Sequence, residues 1–281
     1  MKVAETGSAL REILKNSPRP RVLVPTMGAL HPGHLSLIHR ARQIAGPGGT
    51  VVVSIFVNPI QFDRESDLDA YPRPRASDLA ACEAAGADLV FTPAADSMYF
   101  PDRSVTVAET LLSRGLCGAS RPGHFDGVCT VVLKLFLLTG CDVAIFGEKD
   151  FQQLAVIRRM VRDLDVPVEI LSCPTVREPD GLAMSSRNVR LTPAQRADAP
   201  RIRRALVSAA TLGSPAAILT SVGGAIETSP LARIDYLALV DAETLQPVSE
   251  ILRPAILAAA VFYGEVRLID HVPVPPGGRD G

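Results

Sequence analysis

Arg21-Val-Leu-Val-Pro-Thr-Met-Gly-Ala-Leu-His-Pro-Gly-His34 is the stretch on which the reading of this chain turns. Residues 21–25 have the apolar character of a short buried strand. Met27, Gly28 and Ala29 follow as a small-residue turn, and Pro32 suits the first turn of a helix, where its missing N–H costs nothing. Leu35, Leu37, Ile38, Ala41 and Ile44 then fit an apolar helical stripe. The unit reads strand, tight turn, helix, with His31 just ahead of the first helical turn and His34 inside it.

That placement has a chemical meaning. A helix start presents free N–H groups and a partial positive charge, so it attracts phosphate. Gly28 and Gly33 let the backbone approach a ligand closely. Two imidazoles beside it can donate hydrogen bonds to phosphoryl oxygens as negative charge moves onto a departing pyrophosphate. The same pair is open to plainer readings, capping the helix or binding a metal. No carboxylate or cysteine completes a local ligand set, which leaves a metal only with a distant ligand.

A second stretch, Met184-Ser-Ser-Arg187, follows a turn signal at Pro179-Asp-Gly181. Its hydroxyls and guanidinium suit phosphate oxygens; alone it reads as an ordinary polar loop before a helix. Three further segments lie where strand-like and helix-like runs meet. Phe56-Val-Asn-Pro-Ile-Gln-Phe62 follows an apolar run and carries Asn58 and Gln61. Arg121-Pro-Gly-His-Phe-Asp-Gly127 feeds a helical run. Phe146-Gly-Glu-Lys-Asp-Phe-Gln-Gln153 follows Val143-Ala-Ile145. Open α/β sheets bind ligands at the carboxyl ends of their strands, so one site can draw on all of these. Together they point to an enzyme that activates a carboxylate or a phosphate with a nucleoside triphosphate.

On these motifs the chain resembles the pantoate–β-alanine ligase (pantothenate synthetase) family from near its start to Asp270. The matching stretches are Pro25–His34, Phe56–Phe62, Asp67–Arg73, Arg121–Phe136, Phe146–Gln153 and Thr175–Asn188. The two histidines also occur across the wider nucleotidyltransferase superfamily; Gln61, the Gly147–Gln153 run and the Met184–Arg187 run narrow the match. The resemblance implies an AMP-forming ligase of pantothenate biosynthesis. Pantoate and ATP give pantoyl adenylate and pyrophosphate, then β-alanine attacks the acyl carbon and releases AMP and pantothenate.

The resemblance also implies roles. Met27, Gly28, Ala29, Leu30, His31, Pro32, Gly33 and His34 are expected to hold ATP, with His34 and His31 catalytic and His34 the candidate proton donor. Gly147 gives room beside the nucleotide, next to Glu148; Lys149, also catalytic, neutralises phosphate; Asp150 caps the helix or binds ribose. A surface lysine is the plain reading of Lys149, but a cation at a helix start is unfavourable unless an anion binds there. Val176 corresponds to a position whose backbone meets adenine, and Met184, Ser185, Ser186 and Arg187 close on the phosphates. Gln61 and Gln153 are the pantoate/β-alanine candidates, because a neutral amide can donate to carboxylate and hydroxyl groups. Gln152 reads as a helix-surface residue. Asn58, Tyr71, Arg121 and His124 stand in second rank, His124 with an equal claim to a structural place in its loop. Mg²⁺ is expected with ATP, held mainly by nucleotide oxygens and water. Relatives often carry adjacent acidic residues after Tyr-Pro-Arg, associated with the metal. Here Arg75-Ala-Ser-Asp78 keeps one, so no protein ligand is assigned. A homodimer through the first domain is implied as well.

The 281 residues are 47 % apolar, enough for one large domain or two smaller ones. A net charge of −1 argues against bulk nucleic-acid binding. No apolar run has the length of a membrane span, and no signal-peptide core opens the chain. Five cysteines without CxxC spacing read as reduced, mostly buried thiols of a cytoplasmic protein.

Strand-like runs at 21–25, 50–56, 88–92, 142–146 and 166–171 alternate with helical runs at 6–16, 33–45, 76–86, 123–139 and 150–164. That alternation predicts a Rossmann-like α/β domain, a parallel sheet with helices on both faces, over residues 1–176. Residues 63–75, dense in charge, read as a solvated loop or a flap over the site. Residues 177–281 read as a smaller α+β domain, helical over 193–227, with strands at 233–240 and within 256–269 turning at Tyr263-Gly-Glu265. Met184–Arg187 at its entry would set the nucleotide between the two domains. The tail from Pro273 is expected to fray. Two rival readings stand beside the ligase: a superfamily nucleotidyltransferase acting on a phosphate ester, and a non-catalytic nucleotide binder. The paired glutamines count against the first, and the intact His31, His34, Lys149 and Arg187 against the second.

Overall fold

The valine-rich runs assemble side by side. The computed structural model describes residues 1–276. Strands β1 (Lys2–Ala4), β2 (Arg21–Thr26), β3 (Thr50–Ile55), β4 (Leu89–Phe91), β5 (Val143–Gly147) and β6 (Glu169–Cys173) form a six-stranded sheet in the order β1-β4-β3-β2-β5-β6. Every pairing in it is parallel. Val22, Leu23, Val24, Val51, Val52 and Val53 have no solvent exposure, the signature of strands covered on both faces. Val22 and Val24 pack with Ile38 and Ala41 of the helix Pro32–Ala45. Leu23, between them, faces the other way, and on that side the helix His124–Thr139 packs on β2.

The sheet order decides where a ligand can bind. From β2 the chain moves outward through β3 to β4, then returns to the far side of β2 with β5. The loops leaving β2 and β5 therefore diverge, and the crevice at such a switch point is where open α/β sheets take ligands. Residues 27–34 and 56–61 follow the carboxyl ends of β2 and β3, and Gly147 and Glu148 lie at that of β5.

The chain divides into two compact units. The first comprises Met1–Glu109, Arg121–Glu148 and Gln153–Pro174 and holds the parallel sheet. The second takes Thr110–Ser120 and Lys149–Gln152 together with the chain from Thr175. It contains an antiparallel sheet of β7 (Ala232–Asp241), β8 (Ala255–Tyr263) and β9 (Val266–Val274). Leu206, Ile218, Val222 and Ile226 from the helices Arg201–Ala209 and Pro215–Glu227 pack with Leu257, Val261 and Tyr263. Thr192 opens the preceding helix, Pro193–Asp198, with a reciprocal cap to Gln195.

Some boundaries differ from the sequence reading. β1 is three residues long and too short to give a periodic signal. Residues 63–75 are not uniformly loop: they contain the helix Glu65–Asp69 and the start of the helix Arg75–Ala84, and they bury Asp67 and Tyr71. Of the expected frayed tail, Pro273 and Val274 complete β9, and residues 277–281 lie outside the described residues. All five cysteines are free and buried. Burial pushes the Cys82 and Cys129 thiols up to about 12 and Cys141 to about 11. Among the described residues no helix is long and apolar enough to cross a membrane.

Candidate active site

β2 ends in Thr26, whose hydroxyl donates to Ser54 O at 2.8 Å and accepts the Gly28 N–H at 3.2 Å. The chain then takes two successive left-handed residues, Gly28 (φ 81°) and Ala29 (φ 51°). The N–H groups of Ala29 and Leu30 meet the Asp78 carboxylate at 2.9 and 2.8 Å. A side chain at Gly28 would meet Asp78 Oδ2 at 2.9 Å and Ile55 at 3.0 Å, so this glycine makes room for the protein itself.

His31 caps the helix. Its Nδ1 accepts the Gly33 N–H at 3.1 Å, and His34 Nδ1 accepts the His31 N–H at 3.4 Å. Both rings use Nδ1 as acceptor, so each neutral imidazole carries its proton on Nε2. The rings lie 4.0 Å apart between centroids. The expected free N–H groups at the helix start are not found. Gly33 N–H is taken by His31, and the His34 and Leu35 N–H groups bond His31 O at 2.8 and 3.1 Å. In this arrangement the donors suited to an anion are imidazole N–H groups more than backbone ones. Met27 and Leu30 are half-buried and Pro32 is exposed.

Gln61 ends a short turn after β3 and is buried. Its Oε1 accepts from Asn58 Nδ2 at 2.9 Å, while its Nε2 donates to the Met27 thioether at 3.1 Å. Thioether sulfur is a weak acceptor. Asn58 also donates to Gly127 O at 3.1 Å and accepts from the Tyr99 hydroxyl at 2.7 Å. Burial holds the Tyr99 phenol well above its ordinary value, so it remains a donor. His124 Nδ1–H donates to Gln61 O at 2.8 Å; Arg121 donates to the same carbonyl at 3.2 Å, to His124 Nε2 at 3.3 Å and to Asp63 at 2.7 Å. Burial alone would raise the Asp63 carboxyl; the Arg121 hydrogen bond and charge outweigh it and hold it below the usual range. Asn58, Arg121 and His124 thus brace Gln61, and Tyr71 packs edge-on against Phe62. A Cβ at Gly127 would lie 2.5 Å from Ile60 O and 2.7 Å from Gln61 Cα, so the helix His124–Thr139 approaches this turn as only glycine allows.

Gly147 closes β5, and a Cβ there would meet nothing within 4 Å. Glu148 Oε1 accepts from the Ser172 hydroxyl at 2.9 Å. Gln153 is half-buried, and its amide makes no hydrogen bond to any described residue. Gln152 corrects the surface reading: it is buried, accepts the Cys117 N–H at 2.9 Å and donates to Leu112 O and Gly115 O at 2.8 Å each.

In the second unit, Lys149 Nζ stands 3.7 Å from Asp150, so its charge has a counterion within the chain as well as the expected one in a ligand. Val176 O accepts the Met184 N–H at 3.0 Å. The intervening turn, with Gly181 at φ 92°, is fixed by Arg177, which donates to Gly181 O at 3.0 Å and to both Asp270 oxygens at 2.7 and 2.9 Å. Ser185 Oγ accepts the Arg187 N–H at 3.2 Å, and Met184, Ser185, Ser186 and Arg187 are all half-buried. Among the described residues no three His, Cys, Asp or Glu side chains are arranged to hold a metal, and Asp78 has both oxygens on backbone donors.

The contacts of Asp78, Tyr99, Gly127 and the Arg177–Asp270 pair were not foreseen from the sequence. Gly127 alone carried a signal, a glycine inside the first turn of an apolar helical run.

Comparison with known proteins gives a consistent result. The family model described as Pantoate-beta-alanine ligase matches residues 2–273. The pantothenate synthetase of Akkermansia muciniphila is 54 % identical over 279 residues, covering 97 % of this chain and 99 % of that protein. The crystal structure of pantothenate synthetase from Thermus thermophilus superposes with a TM-score of 0.92 at 46 % identity, over 98 % of this chain and 100 % of the other. The pantoate-beta-alanine ligase of Francisella tularensis, solved in complex with beta-gamma ATP and beta-alanine, gives a TM-score of 0.81 at 32 % identity, over 97 % of each chain.

Proposed function

The chain belongs to the pantoate–β-alanine ligase family, and from that premise we propose that it activates pantoate with ATP as an acyl adenylate and then joins it to β-alanine. A carboxylate has no good leaving group and repels a nucleophile. Transfer of AMP to it, with release of pyrophosphate, supplies the leaving group. Attack by the amine of β-alanine on the acyl carbon then gives the amide, and AMP departs.

The observation that carries this reading is the pairing of imidazole and amide groups at neighbouring strand ends. His31 and His34, each with its ring proton on Nε2, can donate to phosphoryl oxygens as charge builds on pyrophosphate. His34, inside the helix, is assigned the proton donor. Gln61 holds a weak thioether partner that a substrate oxygen would displace, and its carbonyl is fixed by His124 and Arg121. A neutral amide orients the pantoate carboxylate without the tight charge pairing that would blunt its nucleophilicity. Gln153 is assigned to the same substrate. Its amide makes no hydrogen bond within the described chain, which supports the assignment.

The remaining assignments follow the family. Met27 to His34, Gly147, Glu148, Asp150 and Val176 contact the nucleotide. Lys149 neutralises phosphate charge in competition with Asp150, and Met184, Ser185, Ser186 and Arg187 bind phosphate oxygens. Open space at Gly147 agrees with room for a nucleotide there. Mg²⁺ is proposed to travel with ATP, held mainly by the nucleotide's own oxygens and water. We assign the enzyme to the cytoplasm, which its buried free thiols support, and to a homodimeric state.

The test is pyrophosphate release and AMP formation from Mg-ATP with each acid omitted in turn. Pyrophosphate release should require pantoate, and sustained AMP release should require β-alanine. Pyrophosphate formed without pantoate, or ATP bound with nothing released, would refute the assignment.

A further inference from the structure

We propose that Asp78 is a positioning residue for this reaction: its carboxylate binds the loop after β2 as an internal anion and thereby sets the orientation and tautomer of His31 and His34. The inference rests on the roles proposed above for those histidines.

Four consecutive N–H groups of the loop are claimed by the protein. Gly28 N–H goes to Thr26 Oγ1, Ala29 and Leu30 N–H to Asp78, and His31 N–H to His34 Nδ1. The neighbouring Ala29 and Leu30 N–H groups of this turn converge on one carboxylate, a concavity that takes an anion. Ala29, with a Cβ and a φ of 51°, occupies that conformation at a cost, so something must hold it there. Asp78 is 3 % exposed, and its carboxylate gives one oxygen to each N–H. It reaches the loop from the helix Arg75–Ala84, which packs on the helix that His31 caps. A cavity of about 440 Å³, lined by Met27, Gly28 and Asp78 among others, adjoins the loop, and the carboxylate tethers the chain beside it.

This differs from a metal role. An acidic residue after Tyr-Pro-Arg invites assignment to Mg²⁺; here each carboxylate oxygen accepts a backbone N–H of the loop, and it is this contact to which the role is assigned. A carboxylate accepts at both ends, whereas an amide offers one acceptor and one donor. Asp78→Asn keeps the size and sets an N–H against an N–H. Losing a hydrogen bond to a charged group is worth about 10- to 100-fold in rate if it is expressed in the transition state.

The experiment compares wild type, Asp78→Asn and Asp78→Glu. Imidazole ¹⁵N spectra give the histidine tautomers, and pyrophosphate release is followed against ATP, pantoate and Mg²⁺. We expect kcat to fall about 10- to 100-fold in Asp78→Asn, with the Mg²⁺ requirement unchanged. The His31 and His34 signals should lose their uniform Nε2–H form while His271 is unmoved. Asp78→Glu keeps two acceptors on a longer side chain and should recover part of the rate; if Asp78→Asn does not fold, the displaced carboxylate of Asp78→Glu should still lower kcat and shift the imidazole signals, and wild-type values of both overturn the proposal. An Asp78→Asn rate within about twofold of wild type overturns it as well. So does a tenfold higher Mg²⁺ requirement with unchanged imidazole signals, which would make Asp78 a metal ligand. If wild type itself releases no pantoate-dependent pyrophosphate, the assigned reaction fails, and the imidazole spectra alone decide whether Asp78 sets the loop.

Discussion

Gly127→Ala should separate the positioning of Gln61 from the chemistry around it. The added methyl would stand 2.5 Å from Ile60 O, 2.7 Å from Gln61 Cα and 2.8 Å from Gln61 N, all backbone atoms that no rotamer change can move aside. Restoring an ordinary contact of 3.4 Å needs a displacement of about 0.9 Å. If that shift falls along the bonds joining the helix to the turn, Asn58 Nδ2 to Gly127 O lengthens from 3.1 Å and His124 Nδ1 to Gln61 O from 2.8 Å, both past hydrogen-bond range. Overpacking costs about 1–3 kcal/mol, and each weakened buried hydrogen bond adds about 1 kcal/mol. The sum is about 3–5 kcal/mol, and at about 2–4 °C per kcal/mol the melting temperature should drop by roughly 6–20 °C. A misplacement near 1 Å at a substrate-orienting group is worth about 100-fold, and it should appear in kcat/KM for pantoate well ahead of ATP. Calorimetry and pyrophosphate-release kinetics with each substrate varied are the assays. A melting temperature within 2 °C of wild type and a pantoate KM within twofold would show that this close approach does not fix Gln61.

Other substitutions test neighbouring groups. His34→Ala should slow adenylate formation by about two to four orders of magnitude, the scale of lost acid–base or leaving-group help; near-wild-type pyrophosphate release from a folded variant would remove that role. Gln61→Ala should raise the pantoate KM far more than the ATP KM, and equal rises would mean that it does not select pantoate. His271 gives a pH signature. Burial, only partly countered by the Asp270 charge, lowers its folded-state pKa below 6.5. The unfolded chain then binds more protons between the folded value and 6.5, so stability should rise with pH through that window and be lost as pH falls through the folded pKa. His271→Phe should flatten the slope in urea titrations from pH 5 to 7.5, and an unchanged slope would count against this origin.

The parallel sheet was legible because β2, β3 and β5 are largely continuous apolar runs, a pattern burial on both faces demands. The helix at Pro32 was legible from its proline and stripe. The network beneath was not. Asp78 read only as the one acid kept in a stretch that relatives associate with the metal, with nothing to mark it as a partner of the loop after β2, and Gln152 differs from Gln153 only by the 100° between successive helical residues. The free N–H groups expected at the helix start were satisfied by His31 itself, because a histidine at the cap position can accept as well as donate.

The path of the chain bears on how such a protein is made and divided. Gln152 pins Leu112, Gly115 and Cys117, and Cys117 Sγ meets the Tyr236 hydroxyl at 3.5 Å and Arg267 at 3.6 Å. During translation, residues 110–120 and 149–152 leave the ribosome long before β7 and β9 exist to receive them. A gene cut at residue 175 would give a first fragment bearing two segments with nowhere to settle and a second lacking the helix Leu116–Ser120 that packs on β7. Split-protein reporters or domain exchanges built on this scaffold therefore need all three pieces of the second unit carried together.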